Sequence, residues 1–192
     1  VGEVDRILRY DDIESQLDQP PEPVVVNEDL PDKKYQGWKY LRFGPYGNLY
    51  ITVGIPCHIC DDEGFGEIRF MNADGSDLTT YAVGVRNSVG LAFHPENGDL
   101  WFTDNGRDHM GDDLPADELN HAPKSGMHFG IPFCHQGDLL DEKFGEGKDC
   151  ADYTPPVAKL DPHAAALGLA FYIGDMFPSR YKNQLFIAQH GS

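Results

Sequence analysis

The stretch Val89-Gly90-Leu91-Ala92-Phe93-His94-Pro95-Glu96-Asn97-Gly98-Asp99-Leu100-Trp101-Phe102 reads as a strand, a polar turn and a returning strand. The same pattern occurs earlier over Gly37–Ile51, and in a looser form with a longer turn over Leu167–Ala188. Leu41 and Leu91, at matching places in the first two copies, are fifty residues apart. A repeat of this length built from short strands is typical of the blades of a β-propeller.

The segments between the copies supply the remaining strands of each repeat. Gly66–Asn72 reads as a strand, Asp74-Gly75 supplies a tight reversal, and Leu78–Val85 reads as the returning strand. The sequence therefore predicts an all-β chain, a single partial propeller domain over 1–192 with about three four-stranded antiparallel blades. A β-sandwich is the alternative fold, but it does not explain why the same strand–turn–strand pattern recurs three times. We expect blade-like units at about 1–53, 66–103 and 117–192, with a loop-rich functional insertion at about 104–161.

The composition is strongly acidic. The 192 residues include 32 Asp and Glu against 15 Lys and Arg, a formal net charge of −17. Such a surface repels phosphate backbones, so we expect no nucleic-acid partner. Carboxylate-rich loops can hold calcium, although acidity can also serve solubility alone. The sequence has no apolar run long enough to span a membrane, and its abrupt ends and lack of a signal peptide predict a fragment or a trimmed chain.

The four cysteines allow three disulfide connectivities. Their spacing favours local pairing, Cys57–Cys60 and Cys134–Cys150, as structural disulfides of an oxidising compartment. Cys57 and Cys60 form a Cys-x-x-Cys motif, which elsewhere is redox-active or binds zinc. A redox-active Cys-x-x-Cys motif usually lies where a strand turns into a helix, and no helix is predicted after Cys60. A zinc site would need a second pair of ligands at matching spacing, and the sequence shows no obvious pair.

Two segments carry candidate binding chemistry. Arg86-Asn87 enters an apolar strand, where a guanidinium fork and an amide can meet an anionic, planar ligand; the alternative is a surface arginine before a turn asparagine. Residues 104–120 combine acids with a glycine turn and suit a hard cation, or else form a solvated acidic loop. The acids concerned are Asp108, Asp112, Asp113, Asp117 and Glu118. Several histidines could act as bases, and no sequence pattern favours one of them. They are His94, His109, His121, His163 and His190.

Several motifs in a fixed order resemble the glucose/sorbosone dehydrogenase family, most strongly its sorbosone dehydrogenase-like branch. The motifs are Gly37–Pro45, Pro56–Cys60, Gly84–Pro95, Leu100–Asp108, Asp117–Asn120 and His190–Ser192. The resemblance implies a six-bladed propeller of four-stranded blades. It also implies pyrroloquinoline quinone and calcium as cofactors, a sugar, aldose or polyol as substrate, an external electron acceptor, and a periplasmic or secreted location.

The resemblance implies quinone-binding roles for particular positions. Arg86 and Asn87 match the pair that contacts the quinone and its reactive carbonyl, which makes Arg86 a catalytic candidate, and His190 lies near a strand from which further contacts arise. The family's catalytic base is a histidine seven residues before the phenylalanine of the Phe-Gly-Pro motif, and here Gln36 occupies that position. An amide cannot take a proton from a sugar hydroxyl. We therefore expect either another base or impaired activity.

The resemblance also implies metal ligands. Gly106 and Arg107 fall where two backbone carbonyls hold the calcium that polarises the cofactor. Glu118 matches an acid linked to a second, structural calcium, and Asp112 and Asp113 are the neighbouring acids that we add to the metal candidates.

Three functional hypotheses follow. The first is a quinone- and calcium-dependent sugar dehydrogenase. The second is a calcium-dependent propeller hydrolase of the lactonase kind, in which side chains rather than glycine-turn carbonyls hold the metal. The third is a non-catalytic propeller that assembles through exposed blade edges, with two copies closing one propeller as a homo-oligomer.

Overall fold

The computed structural model describes residues 1–191, and this part of the chain is all-β, as predicted. Within it there is no α-helix, and the helical elements are three 3-10 turns, Ile13–Ser15, Cys150–Asp152 and Ser179–Tyr181. The strands are β1 (Ile7–Arg9), β2 (Val24–Asn27), β3 (Leu41–Phe43), β4 (Leu49–Val53), β5 (Glu67–Met71), β6 (Thr79–Val83), β7 (Gly90–Phe93), β8 (Leu100–Asp104), β9 (Ala116–Ala122), β10 (Met127–His128), β11 (Cys134–His135), β12 (Leu139–Leu140), β13 (Ala158–Pro162), β14 (Ala166–Phe171) and β15 (Leu185–Gln189).

Two sheets form the centre of the described chain, each built on four antiparallel strands, and the first is extended to five strands by the parallel strand β10. Strands β3, β4, β5 and β6 follow one another as a meander, and β7, β8, β9 and β13 repeat the arrangement. The pair β1–β2 precedes these sheets and the pair β14–β15 follows them. Over residues 1–191 these sheets and pairs hold the strands of three blades, so the prediction of about three blades is confirmed, as two whole blades and two halves.

The sheets do not begin where the expected units begin. The repeated strand–turn–strand pattern supplies the first two strands of each sheet and not the last two. Strand pairing therefore crosses the boundaries expected between the blade-like units. Val53 pairs with Glu67, and Asp104 pairs with Glu118. The units drawn at about 1–53, 66–103 and 117–192 therefore do not coincide with the sheets, which span 41–83 and 90–162.

The region expected as an insertion, 104–161, is partly regular structure, because it contributes β9 and most of β13. Its irregular parts are the 105–115 loop before β9 and the long loop between β9 and β13, which carries the short strands β10, β11 and β12. Strand β10 pairs in parallel with β6 of the first sheet, and the ring of Phe129 packs edge-on against Phe102 with 4.9 Å between centroids. This long loop thus reaches back over the sheet that precedes it.

Three apolar clusters lie between successive sheets. The first joins the two complete sheets, the second joins β1–β2 to the first sheet, and the third joins the second sheet to β14–β15. Phe102 and Leu91 in the first cluster are fully buried. Gly90 permits close contact with the next pair, since a Cβ there would collide with the carbonyl oxygen of Leu167. Burying each large apolar side chain stabilises the fold by roughly 1.5–3 kcal/mol, so face-to-face stacking of the sheets holds the chain together.

Both expected disulfides form, Cys57–Cys60 and Cys134–Cys150, and none of the cysteines in the chain is free. The pairing predicted from spacing is confirmed. No helix among the described residues is long and apolar enough to cross a membrane.

Candidate functional site

The site is built on a turn between β6 and β7 that is held by a buried carboxylate. Asp104, the last residue of β8, accepts hydrogen bonds from the backbone N–H groups of Arg86 and Asn87, both at 2.7 Å, and from the Ser88 hydroxyl at 3.1 Å. Burial raises the pKa of Asp104 to about 6, although these hydrogen bonds and the Arg86 charge oppose the increase. The carboxylate fixes the Arg-Asn turn against the end of the neighbouring strand.

Arg86 is a buried arginine, with a residue exposure of 4%, so the alternative of a surface arginine is wrong. Its Nη1 donates to the carbonyl oxygens of Gly106 at 2.9 Å and Asn105 at 3.3 Å. Its Nε donates to the carbonyl of His58 at 3.1 Å, in the loop closed by the Cys57–Cys60 disulfide. The structure thus brings together the two segments, around 86 and 106, that the sequence singled out separately.

Gln36 lies directly beside Arg86. With its amide oriented to satisfy its neighbours, Gln36 accepts a hydrogen bond from Arg86 Nη2 at 3.3 Å and donates to the backbone carbonyls of Ile55 and Arg86 at 3.2 and 3.1 Å. Its backbone has a positive φ of 47°, and it packs so close to Gly54 that a Cβ on that glycine would lie 2.8 Å from the Gln36 carbonyl. Gln36 therefore orients Arg86 and is itself fixed by three contacts.

The turn after β8 is held by a second acid. The backbone N–H of Gly106 donates to Asp117 Oδ1 at 2.7 Å, and the other Asp117 oxygen accepts from the backbone N–H of Ala166 at 3.1 Å. Burial raises the pKa of Asp117, while those two hydrogen bonds oppose the increase. Asp117 therefore connects the carbonyl-bearing turn to the start of β14.

A cavity of about 920 Å³ opens next to this turn, between the second sheet and the β14–β15 pair. Its size is within the usual range for small-molecule and cofactor sites. The lining residues are Arg86, Asn105, Gly106, Asp108, Asp117, His163, Ala165, Gln189, His190 and Gly191. Of the predicted cofactor residues, Arg86, Gly106 and His190 therefore line the cavity, whereas Asn87 and Arg107 are not among its described lining residues.

The Arg107 side chain is directed into the insertion. Its Nη1 donates to Asp141 Oδ2 at 2.6 Å, and the same oxygen lies 2.8 Å from Nε2 of the buried His135. Burial alone would raise the pKa of Asp141, but hydrogen bonds from His135, two backbone amides and Arg107 outweigh it and lower that pKa to about 2. Any metal contact from Arg107 would therefore use its backbone and not its side chain.

The predicted metal residues do not form one cluster. Glu118 is buried in β9, where it accepts hydrogen bonds from Gln136 N at 2.7 Å and Asn120 Nδ2 at 2.9 Å. Burial and then the nearby Asp104 raise the pKa of Glu118 to about 8. Asp112 and Asp113 are exposed residues of the 104–115 loop. Residues 1–191 contain no group of three His, Cys, Asp or Glu side chains that could hold a metal ion.

The histidines differ in their positions. His163 and His190 line the cavity. His121 pairs with Asp99 at 2.9 Å, and His94 packs edge-on against Phe171. Neither is among the residues that line the cavity. His109 packs beside His58, with 4.9 Å between ring centroids.

Two residues of the site were missed in the sequence, Asp104 and His58. Asp104 stands at the end of a buried strand, where a carboxylate commonly caps the backbone of a neighbouring turn, and that position is its only signal. His58 acts through its backbone carbonyl, for which a sequence offers no signal.

The donor atoms test whether calcium and an anionic quinone suit this place. Asn105 Oδ1 is buried and has no hydrogen-bond partner within the described chain. The backbone carbonyls of Asn105 and Gly106 already accept hydrogen bonds from Arg86, so each would offer a metal ion only its second lone pair. Oxygen ligands of this kind are those that calcium prefers, and a guanidinium beside a cavity suits an anionic ligand. The residues present fit both groups.

Sheets that stack face to face in chain order, with a polar cavity at the ends of their strands, define part of a β-propeller. The family model described as Glucose / Sorbosone dehydrogenase matches residues 58–190. The chain therefore belongs to the glucose/sorbosone dehydrogenase family. The matched range includes Arg86 and Gly106, and Gln36 precedes it.

Individual relatives agree with this assignment. An uncharacterized protein of Borreliella burgdorferi is 42% identical over 112 residues, which is 58% of this chain and 30% of that protein. The aldose sugar dehydrogenase YliI of Escherichia coli is 28% identical over 123 residues, 62% of this chain and 30% of that protein. The solved apo-form structure of the soluble aldose sugar dehydrogenase from Escherichia coli matches with a TM-score of 0.68 and 24% identity, over 88% of this chain and 53% of that one. The alignments thus span about 30% of the length of these curated relatives.

Proposed function

We propose that this chain forms part of a dehydrogenase that oxidises a sugar, aldose or polyol with pyrroloquinoline quinone and calcium. The observation that carries the proposal is the meeting of Arg86 with the carbonyls of Asn105 and Gly106 at the edge of a large cavity. Membership in the glucose/sorbosone dehydrogenase family supports an oxidoreductase acting on sugars.

In this proposal each side chain has a defined task. Arg86 binds the anionic cofactor by charge-assisted hydrogen bonds, and Asn87 sits beside it on the turn that Asp104 holds. The carbonyls of Asn105, Gly106 and Arg107 are the candidate calcium ligands. A quinone held by these residues would supply the hydride acceptor for substrate oxidation, and calcium would increase its electrophilicity.

Gln36 keeps only an orienting task. Its amide oxygen accepts a hydrogen bond from Arg86 Nη2, and an amide has no basic lone pair near neutral pH. The substrate proton must therefore leave to another group.

The location and electron acceptor follow from the same chemistry. Disulfides persist in oxidising compartments, so we place the reaction in the periplasm or outside the cell, with an external acceptor reoxidising the quinone.

The test is reconstitution of the whole dehydrogenase, of which this chain forms part, with pyrroloquinoline quinone and calcium. Isothermal titration calorimetry should detect quinone binding that requires calcium, and a dye-linked assay should detect oxidation of aldoses or polyols. Arg86→Gln should weaken quinone binding about 10- to 100-fold, since hydrogen bonds to charged groups contribute roughly 1.5–3 kcal/mol. Arg42→Gln, an exposed arginine on β3, is the matched control and should bind normally. Absence of quinone binding, or hydrolysis of lactones without quinone, would reject the proposal in favour of a non-catalytic propeller or a lactonase.

A further inference from the structure

The carboxylate of Asp108 lies at the cavity edge between three cationic or basic groups. Its Oδ2 is 3.9 Å from Arg86 Nη2 and 3.8 Å from His58 Nδ1, and its Oδ1 is 3.7 Å from His163 Nδ1. One carboxylate therefore separates the buried guanidinium from two imidazoles. Of these two rings, only His163 lines the cavity beside Arg86 within the described chain.

One hydrogen bond of His163 shows which of its two ring nitrogens has a free lone pair when the ring is neutral. Its Nε2 lies 2.9 Å from the backbone carbonyl oxygen of Gly111. A carbonyl oxygen can only accept, so Nε2 carries the hydrogen in the neutral ring, and Nδ1 carries the free lone pair. Nδ1 is too far from Asp108 Oδ1 for a direct hydrogen bond, but the carboxylate is close enough to stabilise a positive charge on the ring.

The backbone at His163 supports a functional placement. His163 has a φ of 57° and Ala165 a φ of 48°, values that non-glycine residues adopt at a cost. Strain of this kind persists where surrounding contacts over-determine it, and it is common at active sites. Here the segment 163–165 forms one wall of the cavity.

We propose that His163, through Nδ1, is the base that accepts the substrate hydroxyl proton in place of the family's histidine, whose position is taken by Gln36. This inference rests on the proposed function. In the step, the O–H bond breaks and its proton goes to His163 Nδ1. The hydrogen on the adjacent carbon would leave with the electron pair of its C–H bond, a bound quinone would supply the hydride acceptor, and the electron pair of the broken O–H bond would complete the carbonyl. Asp108 is the positioning residue that stabilises the resulting imidazolium.

The first test is independent of catalysis. Nitrogen-15 NMR of the histidine side chains in the unliganded chain should show neutral His163 as the Nε2–H tautomer. Observation of the Nδ1–H tautomer would overturn the proposal, because Nδ1 could not then accept a proton.

The second test is stopped-flow reduction of the bound quinone by substrate. His163→Gln retains an amide that can donate to the Gly111 carbonyl but cannot accept a proton, so we expect normal quinone binding with a rate about 100-fold or more lower. His121→Gln, a ring outside the cavity, is the matched control and should keep the wild-type rate.

The pH profile separates a base from a structural residue. The wild-type rate should fall at acidic pH, where a base is protonated, whereas His163→Gln should lose this acid limb. The titratable and charged groups around His163 are Asp108, Asp112, Asp117, Arg86, His109 and His190. Normal quinone binding with a wild-type rate and acid limb in His163→Gln would overturn the base assignment alone. Failure of the wild-type chain to bind quinone would instead overturn the proposed function, and the catalytic role of His163 with it.

Discussion

Replacement of Glu118 by Gln should stabilise the chain at neutral and alkaline pH. Glu118 is buried in β9 directly opposite Asp104 of β8, and burial followed by repulsion from Asp104 raises its pKa from 4.5 to about 8. The folded state then binds the proton more tightly than the unfolded chain. The stability that this gives is complete below pH 4.5 and is lost as pH rises to about 8.

The size of the effect follows from that pKa difference. Each tenfold change in proton affinity is worth about 1.4 kcal/mol, so the wild-type chain at pH 7 has lost on the order of 3 kcal/mol relative to pH 4. Glu118→Gln has no proton to lose and escapes this penalty. For a chain of this size, 1 kcal/mol moves the melting temperature by roughly 2–4 °C, so an increase of several degrees is expected.

The hydrogen bonds around Glu118 can adapt to the amide. The Gln oxygen can still accept from the backbone N–H of Gln136, and the Gln Nε2 can donate to Asn120 Oδ1. That Asn120 oxygen is buried and has no partner among the residues that the structure describes. A small rotation of the Asn120 amide therefore replaces one hydrogen bond with another.

The assay is thermal unfolding by circular dichroism at pH 4.5 and pH 8, with and without calcium. The melting temperatures of wild type and Glu118→Gln should converge at pH 4.5 and separate at pH 8, and the exposed Glu146→Gln should follow wild type at both. A lower melting temperature for Glu118→Gln at pH 8 would refute the reasoning. So would calcium stabilisation that the variant loses, because Glu118 would then be a charged metal ligand.

Three further outcomes are expected. Phe102 lies in the cluster between the complete sheets, so Phe102→Ala should lower the free energy of unfolding by about 3–5 kcal/mol in a guanidinium titration. The control Phe43→Ala, at an exposed position, should lower it by under ~1 kcal/mol. Equal losses for the two variants would contradict the stacking of the sheets. The pKa of Asp141 is lowered to about 2, so its carboxylate stabilises the folded chain above pH 4, and this stabilisation is lost as pH falls toward 2. Asp141→Asn should therefore lower the free energy of unfolding at pH 7 and weaken its decrease at acidic pH. An unchanged decrease of stability at acidic pH would contradict this. Replacing Cys134 and Cys150 together by Ser should cost about 3 kcal/mol of thermal stability. Dithiothreitol should destabilise the wild type by that much more than it destabilises the variant, which keeps the Cys57–Cys60 disulfide.

Local pairing rules allowed much of the fold to be predicted. Alternating apolar residues and Asp-Gly or Asn-Gly turns specify antiparallel hairpins, because the turn fixes the register of its two strands. The repeat of Val89–Phe102 then indicated a propeller before any contact was known. The grouping of hairpins into sheets was not predictable in this way, because β5 can extend a sheet with β4 or begin a new one without any change in its own pattern.

Part of the site could be predicted and part could not. Arg86 and Gly106 stood out because an arginine at the entry to an apolar strand and a glycine turn are chemically distinctive. Asp104 and His163 did not, because their importance comes from which atoms lie within 4 Å of them.

The sequence alone predicted an all-β repeat, favoured local pairing of its four cysteines, and identified a family in which we expect Gln36 to occupy the position of the base. Those features depend on neighbours along the chain, or on residue identity itself. Only the tertiary structure decided that Arg86 is buried against Gly106, that Glu118 is separate from Asp112, and that His163 faces the same cavity as Arg86. These relations join residues up to 77 positions apart. Their distances are set by how the sheets pack, which no local pattern of residues encodes.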